Sequence, residues 1–483
     1  MDVVSLERID SFPYRHRVAD LMTTPVVTVA PSVTVADAAR VMSERSVSSV
    51  LVVNDSGLVG ILTERDVLRL VAADAGRLAN VVAREMSTPV HAIAADVMIY
   101  RALARLARLG VRHLPVLDEE NRPVGILTAR ALLKQRTQLA LTLGDEIELA
   151  VDAKALLAAR QKLPALAAAL RHEDVAGIQV SAVLAGVICD LTRRAAELAL
   201  TDMLAEGLGA PPAPWCLLVL GSAGRGESLL TADQDNALIH EGGPETDSWF
   251  AAFGERMNRL LDAAGIPLCK GGVMAGNAAF RRSAADWRTA IDAWVRRPHP
   301  EALLNVDIFY DFVPVLGERS LAHALRRHAV EAAAASPLFL RLLTDSTPNG
   351  GNVVGWFGQL RTEQGRIDVK RNGLFPLVAT ARAMALAWRS AATATDTRLT
   401  EAAARGALSP DTASDLIAAR SMLVEALLDQ QLADIETGME PSNRLDPKRL
   451  RRSALKKLRA ALETAAGAPD EAQASLGNRD TLT

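Results

Sequence analysis

WCLLVLGSAGRGESLLTADQDNALIHEG, running from Trp215 to Gly242, sets an apolar run, a glycine-rich turn and a pair of aspartates in series. Trp215 to Leu220 is wholly apolar and lies between Pro214 and Gly221, which predicts a buried strand. Gly221-Ser222-Ala223-Gly224-Arg225-Gly226 follows, and its three glycines let backbone N–H groups approach a ligand closely. A short helix is predicted over Glu227–Leu230, its N-terminus turned toward whatever the loop holds. A helix N-terminus favours anions, so phosphate is the natural guest. Asp233-Gln234-Asp235 then leads into Asn236–Ile239, a predicted second strand on which Asp233 and Asp235 share a face. Two adjacent carboxylates repel each other unless a divalent cation sits between them, and carboxylate oxygens suit Mg²⁺. A phosphate cradle followed by paired carboxylates is equipment for metal-assisted phosphoryl transfer.

A glycine turn or a D-x-D alone is common in purely structural roles; strand, G-S turn, helix and D-x-D strand in this order are far more specific. The arrangement resembles the DNA polymerase beta-like nucleotidyltransferase superfamily. GSAGRGE…DQDNALI is similar, more narrowly, to the nucleotidyltransferase domain of protein-PII uridylyltransferase. The resemblance implies that Gly221 and Ser222 hold the phosphates of an NTP, that Arg225 neutralises charge, and that Asp233 and Asp235 hold Mg²⁺ or Mn²⁺. It also implies a third carboxylate on a strand beside the D-x-D strand. LLNVDIFYDFVPVLG, Leu303–Gly317, is rich in β-branched and aromatic residues and predicts that strand. The family pattern F-F-D-x-R assigns the role to Asp311, with Asp307 the alternative, and Val313 replaces the family's arginine. GIPLCKGGVMAGN, Gly265–Asn277, resembles the C-x-G-x-M-A-x-N stretch of nucleotidyltransferases that carry CBS pairs, which makes Asn277 a candidate nucleotide contact over the site. Lys270 in the same loop reads first as a surface lysine. RIDVKRNGLFPL, from Arg366, resembles the family's I-D-x-K, so Lys370 is a candidate triphosphate contact; a solvated element end is the structural alternative.

The first third of the chain is a repeat. Met22 matches Met86 and Gly60 matches Gly125, offsets of 64 and 65 residues. Each copy runs from an M-x-T-P turn through an amphipathic helix (Val35–Ser43, Val97–Leu109), a strand (Ser49–Asn54, Leu114–Asp118), a second strand ending in GILT, and a last helix. The pattern resembles a tandem pair of CBS domains, which implies a module that binds adenine nucleotides in its clefts and forms a homodimer. Thr63 and Asp66 stand at the family's phosphate- and ribose-contacting places, and Thr128 matches Thr63. Ala131 replaces the second aspartate and cannot accept a ribose hydrogen bond. A module that only dimerises is the competing expectation.

Composition sets the remaining bounds. Fifty-four Lys and Arg against 57 Asp and Glu give no whole-chain pull toward nucleic acid or acidic membrane. No aromatic-studded basic face argues for nucleic-acid polymerisation, and no apolar run reaches membrane-spanning length. Cys189, Cys216 and Cys269 are scattered in apolar surroundings, which fits a reducing, cytoplasmic compartment.

The expected fold is α/β and α+β multidomain: a CBS pair at 17–136 (17–76 and 80–136) after a short segment 1–16, a helical bridge at 137–208, a polymerase beta-like nucleotidyltransferase mixed sheet with helices at 209–335, a C-terminal helical, substrate-binding-like bundle at 336–467, and a disordered tail at 468–483. The expected function is Mg²⁺-dependent transfer of UMP or AMP from an NTP to a hydroxyl, with a protein tyrosine on a PII-like partner as the acceptor the resemblance suggests. The alternative is a nucleotide-sensing CBS regulatory protein with a vestigial transferase fold.

Overall fold

The computed structural model describes residues 16–128, 143–172, 175–298, 308–345 and 360–479. They divide between two compact units, one within 10–148 and one within 149–483.

In the first unit, β1 (Thr28–Val29), α1 (Val35–Glu44), β2 (Ser49–Asn54), β3 (Gly57–Thr63) and α2 (Glu64–Ala73) form one copy of the repeat. The second copy contains β4 (Ile93–Ala94), α3 (Ile99–Leu109), β5 (His113–Leu117) and β6 (Pro123–Thr128). Each builds a three-stranded sheet, parallel at β1–β2 and β4–β5 and antiparallel at β2–β3 and β5–β6. The helix stripe of each copy buries itself on its sheet: Val35, Ala38 and Met42 on Val50 and Val52, and Ile99, Ala102 and Leu106 on Leu114 and Val116. The glycine of each GILT strand is set by the other copy. A Cβ at Gly60 would collide with the Met86 side chain, and one at Gly125 with Met22. Bridges Thr23↔Ile126 and Ile61↔Ser87 repeat the exchange. Each M-x-T-P methionine therefore packs against the other copy's sheet, which is why Met and Gly recur together. Ala131 and the second copy's last helix lie outside the described residues.

The second unit opens with α4 (Ala153–Arg160), α5 (Leu163–His172) and α6 (Gly177–Ala205). Asp152 caps the start of α4 by accepting from the Ala155 N–H at 2.8 Å. Four strands follow: β7 (Trp215–Val219), β8 (Asn236–His240), β9 (Arg281–Ser283) and β10 (Val313–Gly317), in the order β10-β7-β8-β9. Only the β8–β9 pair is parallel. The flanking helices are α7 (Gly221–Gly224), α8 (Asp247–Ala263), α9 (Ala284–Arg296) and α10 (Arg319–Ala334). Trp287 of α9 is fully buried and donates its indole N–H to the Leu238 carbonyl at 2.9 Å, a core tryptophan.

Three expectations are corrected. The helix after β7 is the glycine turn itself, Gly221–Gly224, while Glu227–Leu230 is not helical; Glu227 is instead held by side chains described below. Among the described residues, the strand predicted over Leu303–Gly317 is only β10, with Ile308 and Phe309 helical; residues 303–307, Asp307 among them, lie outside the described residues. β10 pairs with β7 and not with the D-x-D strand β8.

The C-terminal part is helical: α11 (Pro337–Asp345), α12 (Phe375–Ala387), α13 (Thr395–Ala404), α14 (Pro410–Glu436) and α15 (Arg452–Arg479). Two short strands, β11 (Ile367–Asp368) and β12 (Arg444–Leu445), pair antiparallel and bring Lys370 toward Asn443. The tail expected to be disordered continues α15 as far as Arg479. The missed signal is a stripe of small residues: Ala465, Ala468 and Ala472 are fully buried and Leu476 nearly so, at spacings of three and four.

Candidate active site

The chain leaves β7 at Leu220, whose N–H donates to the Asp235 carbonyl at 2.9 Å. That bond holds the glycine turn beside the D-x-D segment. Side chains alternate through the segment. Gln234 points inward, its amide donating to the carbonyls of Asn258 (3.0 Å) and Ile266 (2.8 Å). Asn236 also points inward, accepting from Asn258 Nδ2 (3.0 Å) and the Ala275 N–H (2.8 Å). Locking these two leaves Asp233 and Asp235 facing the other way. Their carboxylates and the Cys269 thiol offer ligand atoms within 4.8 Å of one another.

Gly221 has φ +61°, in the left-handed region. A Cβ there would fall under 3.0 Å from Asp235 Oδ2. Glycine is therefore required twice: for the backbone conformation and for the approach of the turn to the carboxylate. The turn opens α7, and the first N–H groups of a helical turn have no intrahelical acceptor. Ser222 Oγ lies 3.1 Å from Ser228 Oγ.

One cavity of about 290 Å³ joins these groups to the C-terminal helices. Gly221, Ser222, Asp233, Asp235, Cys269 and Lys370 line one part. Leu374, Phe375 and Val378, at the start of α12, and Leu427 of α14 line another. Lys370 begins a π-helical turn, Lys370–Leu374, at the head of α12; such turns are frequent at functional sites. Burial and the neighbouring Asp233 push the Asp235 carboxyl up to about 6. Burial, then Asp235, pushes the Cys269 thiol up to about 11, so the thiol stays protonated at neutral pH. Two oxygen ligands crowded into a partly buried site, with no arginine bonded to either in the described residues, fit a divalent cation. A protonated thiol beside them was not anticipated from the sequence.

Asp311 is elsewhere, and its assignment as third metal ligand is corrected. It is fully buried, and its oxygens accept from Arg225 Nη1 at 2.6 Å, from Arg382 Nε at 3.1 Å and from Arg382 Nη2, with Arg398 Nη1 2.8 Å away. Three guanidiniums packed against one carboxylate more than balance its charge and repel a cation from it. Arg225 is spent in the same network: its Nε donates to Glu227 at 2.8 Å. Burial alone would depress the Arg225 guanidinium, but Asp311 and Glu227 outweigh it and hold its pKa up. Glu227 also pairs with Arg420 at 3.0 Å and accepts from the Thr395 N–H at 2.7 Å. These ion pairs bind the segment after the glycine turn to α12, α13 and α14. Sequence reasoning missed them, although Arg382 is the one charge in the otherwise uncharged helix FPLVATARAMALA.

Asn277 is also corrected. It is exposed, caps a short 3₁₀ turn by accepting from the Ala279 N–H at 3.1 Å, donates to the Gly272 carbonyl at 3.1 Å, and does not line the cavity. Lys270 is exposed and outside the cavity as well. In the first unit, Thr63 and Asp66 form a capping box at the start of α2: Asp66 Oδ2 accepts from Thr63 Oγ1 at 2.7 Å and Thr63 N–H at 3.1 Å. Thr128 closes β6 opposite His113.

Comparison with known proteins matches three stretches of the chain. The family model described as putative nucleotidyltransferase DUF294 matches residues 161–301, and the putative nucleotidyltransferase substrate binding domain matches 337–475. The CBS domain matches 18–73 and 80–137. The chain belongs to this CBS-domain-containing family of putative nucleotidyltransferases. The curated relatives match about a quarter of the chain. An uncharacterized protein of Methanopyrus kandleri is 30% identical over 27% of this chain and 68% of its own length. Homoserine O-acetyltransferase of Methanococcoides burtonii is 37% identical over 25% of this chain, which spans only 24% of that protein. Among solved structures, a CBS-domain-containing protein from Agrobacterium tumefaciens is 28% identical over 25% of this chain and 90% of its own, with a TM-score of 0.23. The family matches support a nucleotidyltransferase-like or CBS-regulatory role. No helix among the described residues is long and apolar enough to cross a membrane.

Proposed function

We propose that the protein is a nucleotidyltransferase that moves a nucleoside monophosphate from an NTP to a hydroxyl acceptor. The observation that carries this is the closeness of Gly221 to Asp235, which puts the glycine turn, two outward carboxylates and Lys370 on one cavity. Asp233 and Asp235 would hold Mg²⁺ or Mn²⁺, and a bound ion of that kind activates a hydroxyl and offsets phosphate charge. The N–H groups of Gly221 and Ser222, with Ser222 Oγ, hold the outer phosphates. Lys370 offsets their negative charge from the C-terminal side. Arg225 also lines the cavity; through Glu227 and Asp311 it fixes the turn to the helices behind it.

UMP or AMP transfer to a protein tyrosine, with a PII-like partner, is the finer form that the resemblance supports. The CBS pair would take an adenine nucleotide near Thr63, Asp66 and Thr128, dimerise, and adjust transfer; domain order supports this. The test is incubation of the cytoplasmic lysate of the source with each α-labelled NTP, Mg²⁺ and the protein. A labelled acceptor that disappears with Asp233→Ala supports transfer. The burial of Asp311 among arginines favours a second reading, a nucleotide-sensing regulator without catalysis. That reading gains if both proteins bind NTP and neither labels anything.

A further inference from the structure

The wall of the cavity where the transferase part meets the C-terminal helices carries a chain of hydrogen bonds with a fixed direction. Gln431 of α14 is fully buried. Its Oε1 accepts from the Leu230 N–H at 3.1 Å, and its Nε2 donates to the Ser442 carbonyl at 3.1 Å. A backbone donor and a backbone acceptor thus leave the Gln431 amide one orientation. Its Nε2 also donates to Thr231 Oγ1 at 3.2 Å. The Thr231 hydroxyl, already accepting, gives its own proton to Asn443 Oδ1 at 3.0 Å. The Asn443 main chain is pinned as well, its carbonyl accepting from the Val369 N–H at 3.0 Å beside the β11–β12 pair. With Oδ1 engaged by Thr231, Nδ2 is the side-chain group of Asn443 with both hydrogens free to offer the cavity. Among the described residues nothing accepts from Nδ2.

Both Thr231 and Asn443 line the cavity, and Leu374, Phe375, Val378 and Leu427 supply an apolar wall in it. A flat ring with a polar edge suits such a wall. We infer that Asn443 is a specificity-determining residue: its amide donates to a ring carbonyl, so the site takes a nucleoside triphosphate whose base carries a carbonyl at that edge and disfavours one carrying an amino group. This rests on the proposed transferase reading. A carbonyl there meets the amide as acceptor, whereas an exocyclic amino group sets donor against donor and leaves both unpaired. Gln431 and Thr231 act through Asn443 as positioning residues, since they stop the amide from turning over.

Calorimetric titration of the full-length protein, with Mg²⁺ and α,β-methylene analogues that cannot be cleaved, reads this without turnover. UTP against CTP and GTP against ATP differ in the carbonyl–amino exchange. The expected preference is on the order of 10- to 100-fold for the carbonyl base in at least one pair. Asn443→Ala brings that ratio close to one. Thr231→Val, which lets the amide turn, does the same while Asn443 is intact. Equal affinities within both pairs in the unaltered protein overturn the inference and leave the transferase reading standing. So does an Asn443→Ala protein that loses affinity equally for all four, because the amide then meets phosphate. If no triphosphate binds at all, the transferase reading itself fails.

Discussion

Gly221→Ala separates the demands made on that glycine. The backbone at φ +61° costs an alanine about 1–2 kcal/mol relative to glycine. The new Cβ would also sit under 3.0 Å from Asp235 Oδ2, whereas ordinary contact begins at 3.4 Å. The Asp235 carboxylate, being the free end of a side chain, must withdraw by several tenths of an ångström up to about 1 Å, a displacement that can cost on the order of 10²-fold in rate. Gly226→Ala is the matched control, because Gly226 also has positive φ (+74°) but a Cβ there meets nothing within 4 Å. Urea melts should show both variants losing about 1–2 kcal/mol, a loss that a domain of ordinary stability survives. Mn²⁺ titration and labelled-NTP transfer should then divide them. Gly226→Ala keeps metal affinity and transfer, and Gly221→Ala loses transfer by about two orders of magnitude with weaker Mn²⁺ binding. If Gly221→Ala binds Mn²⁺ and transfers like the control, the glycine turn does not work against Asp235.

In EDTA, Asp235→Asn should be more stable than the parent by up to about 3 kcal/mol above pH 7, because the folded carboxyl titrates near about 6 against an ordinary 3.8. A raised carboxyl pKa costs stability only as pH climbs through that interval, so urea melts should show the gain vanishing near pH 4. Saturating Mg²⁺ should stabilise the parent and leave Asp235→Asn unchanged. Asp311→Asn, which leaves Arg225, Arg382 and Arg398 without their shared anion, should lose about 3–5 kcal/mol in the same melts. A stable, metal-binding but inactive Asp311→Asn protein would restore Asp311 to a catalytic role. In the first unit, Gly60→Ala should be strongly destabilising because Met86 fills the Cβ position, and the double variant Gly60→Ala, Met86→Ala should recover part of the loss.

Much of this architecture is legible in local sequence. Trp215–Leu220 and Ala237–Ile239 announce buried strands by their apolar runs, and the repeat of Met with GILT announces the paired units. The D-x-D aspartates were found because strand alternation is a short-range rule. The failures are long-range. Asp311 matches the family's F-F-D-x-R, whereas its partners Arg382 and Arg398 lie 71 and 87 residues away in the chain, too far for any periodicity to pair them. A helix is predicted over Glu227–Leu230, yet Glu227 is claimed by Arg420 and Thr395 from distant helices. The end of α15 hid because alanines make a narrow stripe among polar neighbours, and alanine carries little weight in a search for apolar periodicity. Asn443 could not be singled out at all: its role depends on a relay through Gln431 and Thr231, which the fold alone assembles.

The most direct measurement is the anomalous diffraction of crystals grown with Mn²⁺ and a non-cleavable NTP analogue. An anomalous peak bridging Asp233 and Asp235, with the triphosphate lying under the Gly221–Ser222 turn, is the predicted result. A peak at any other carboxylates, or a nucleotide bound away from the turn with the two aspartates bare, would contradict it.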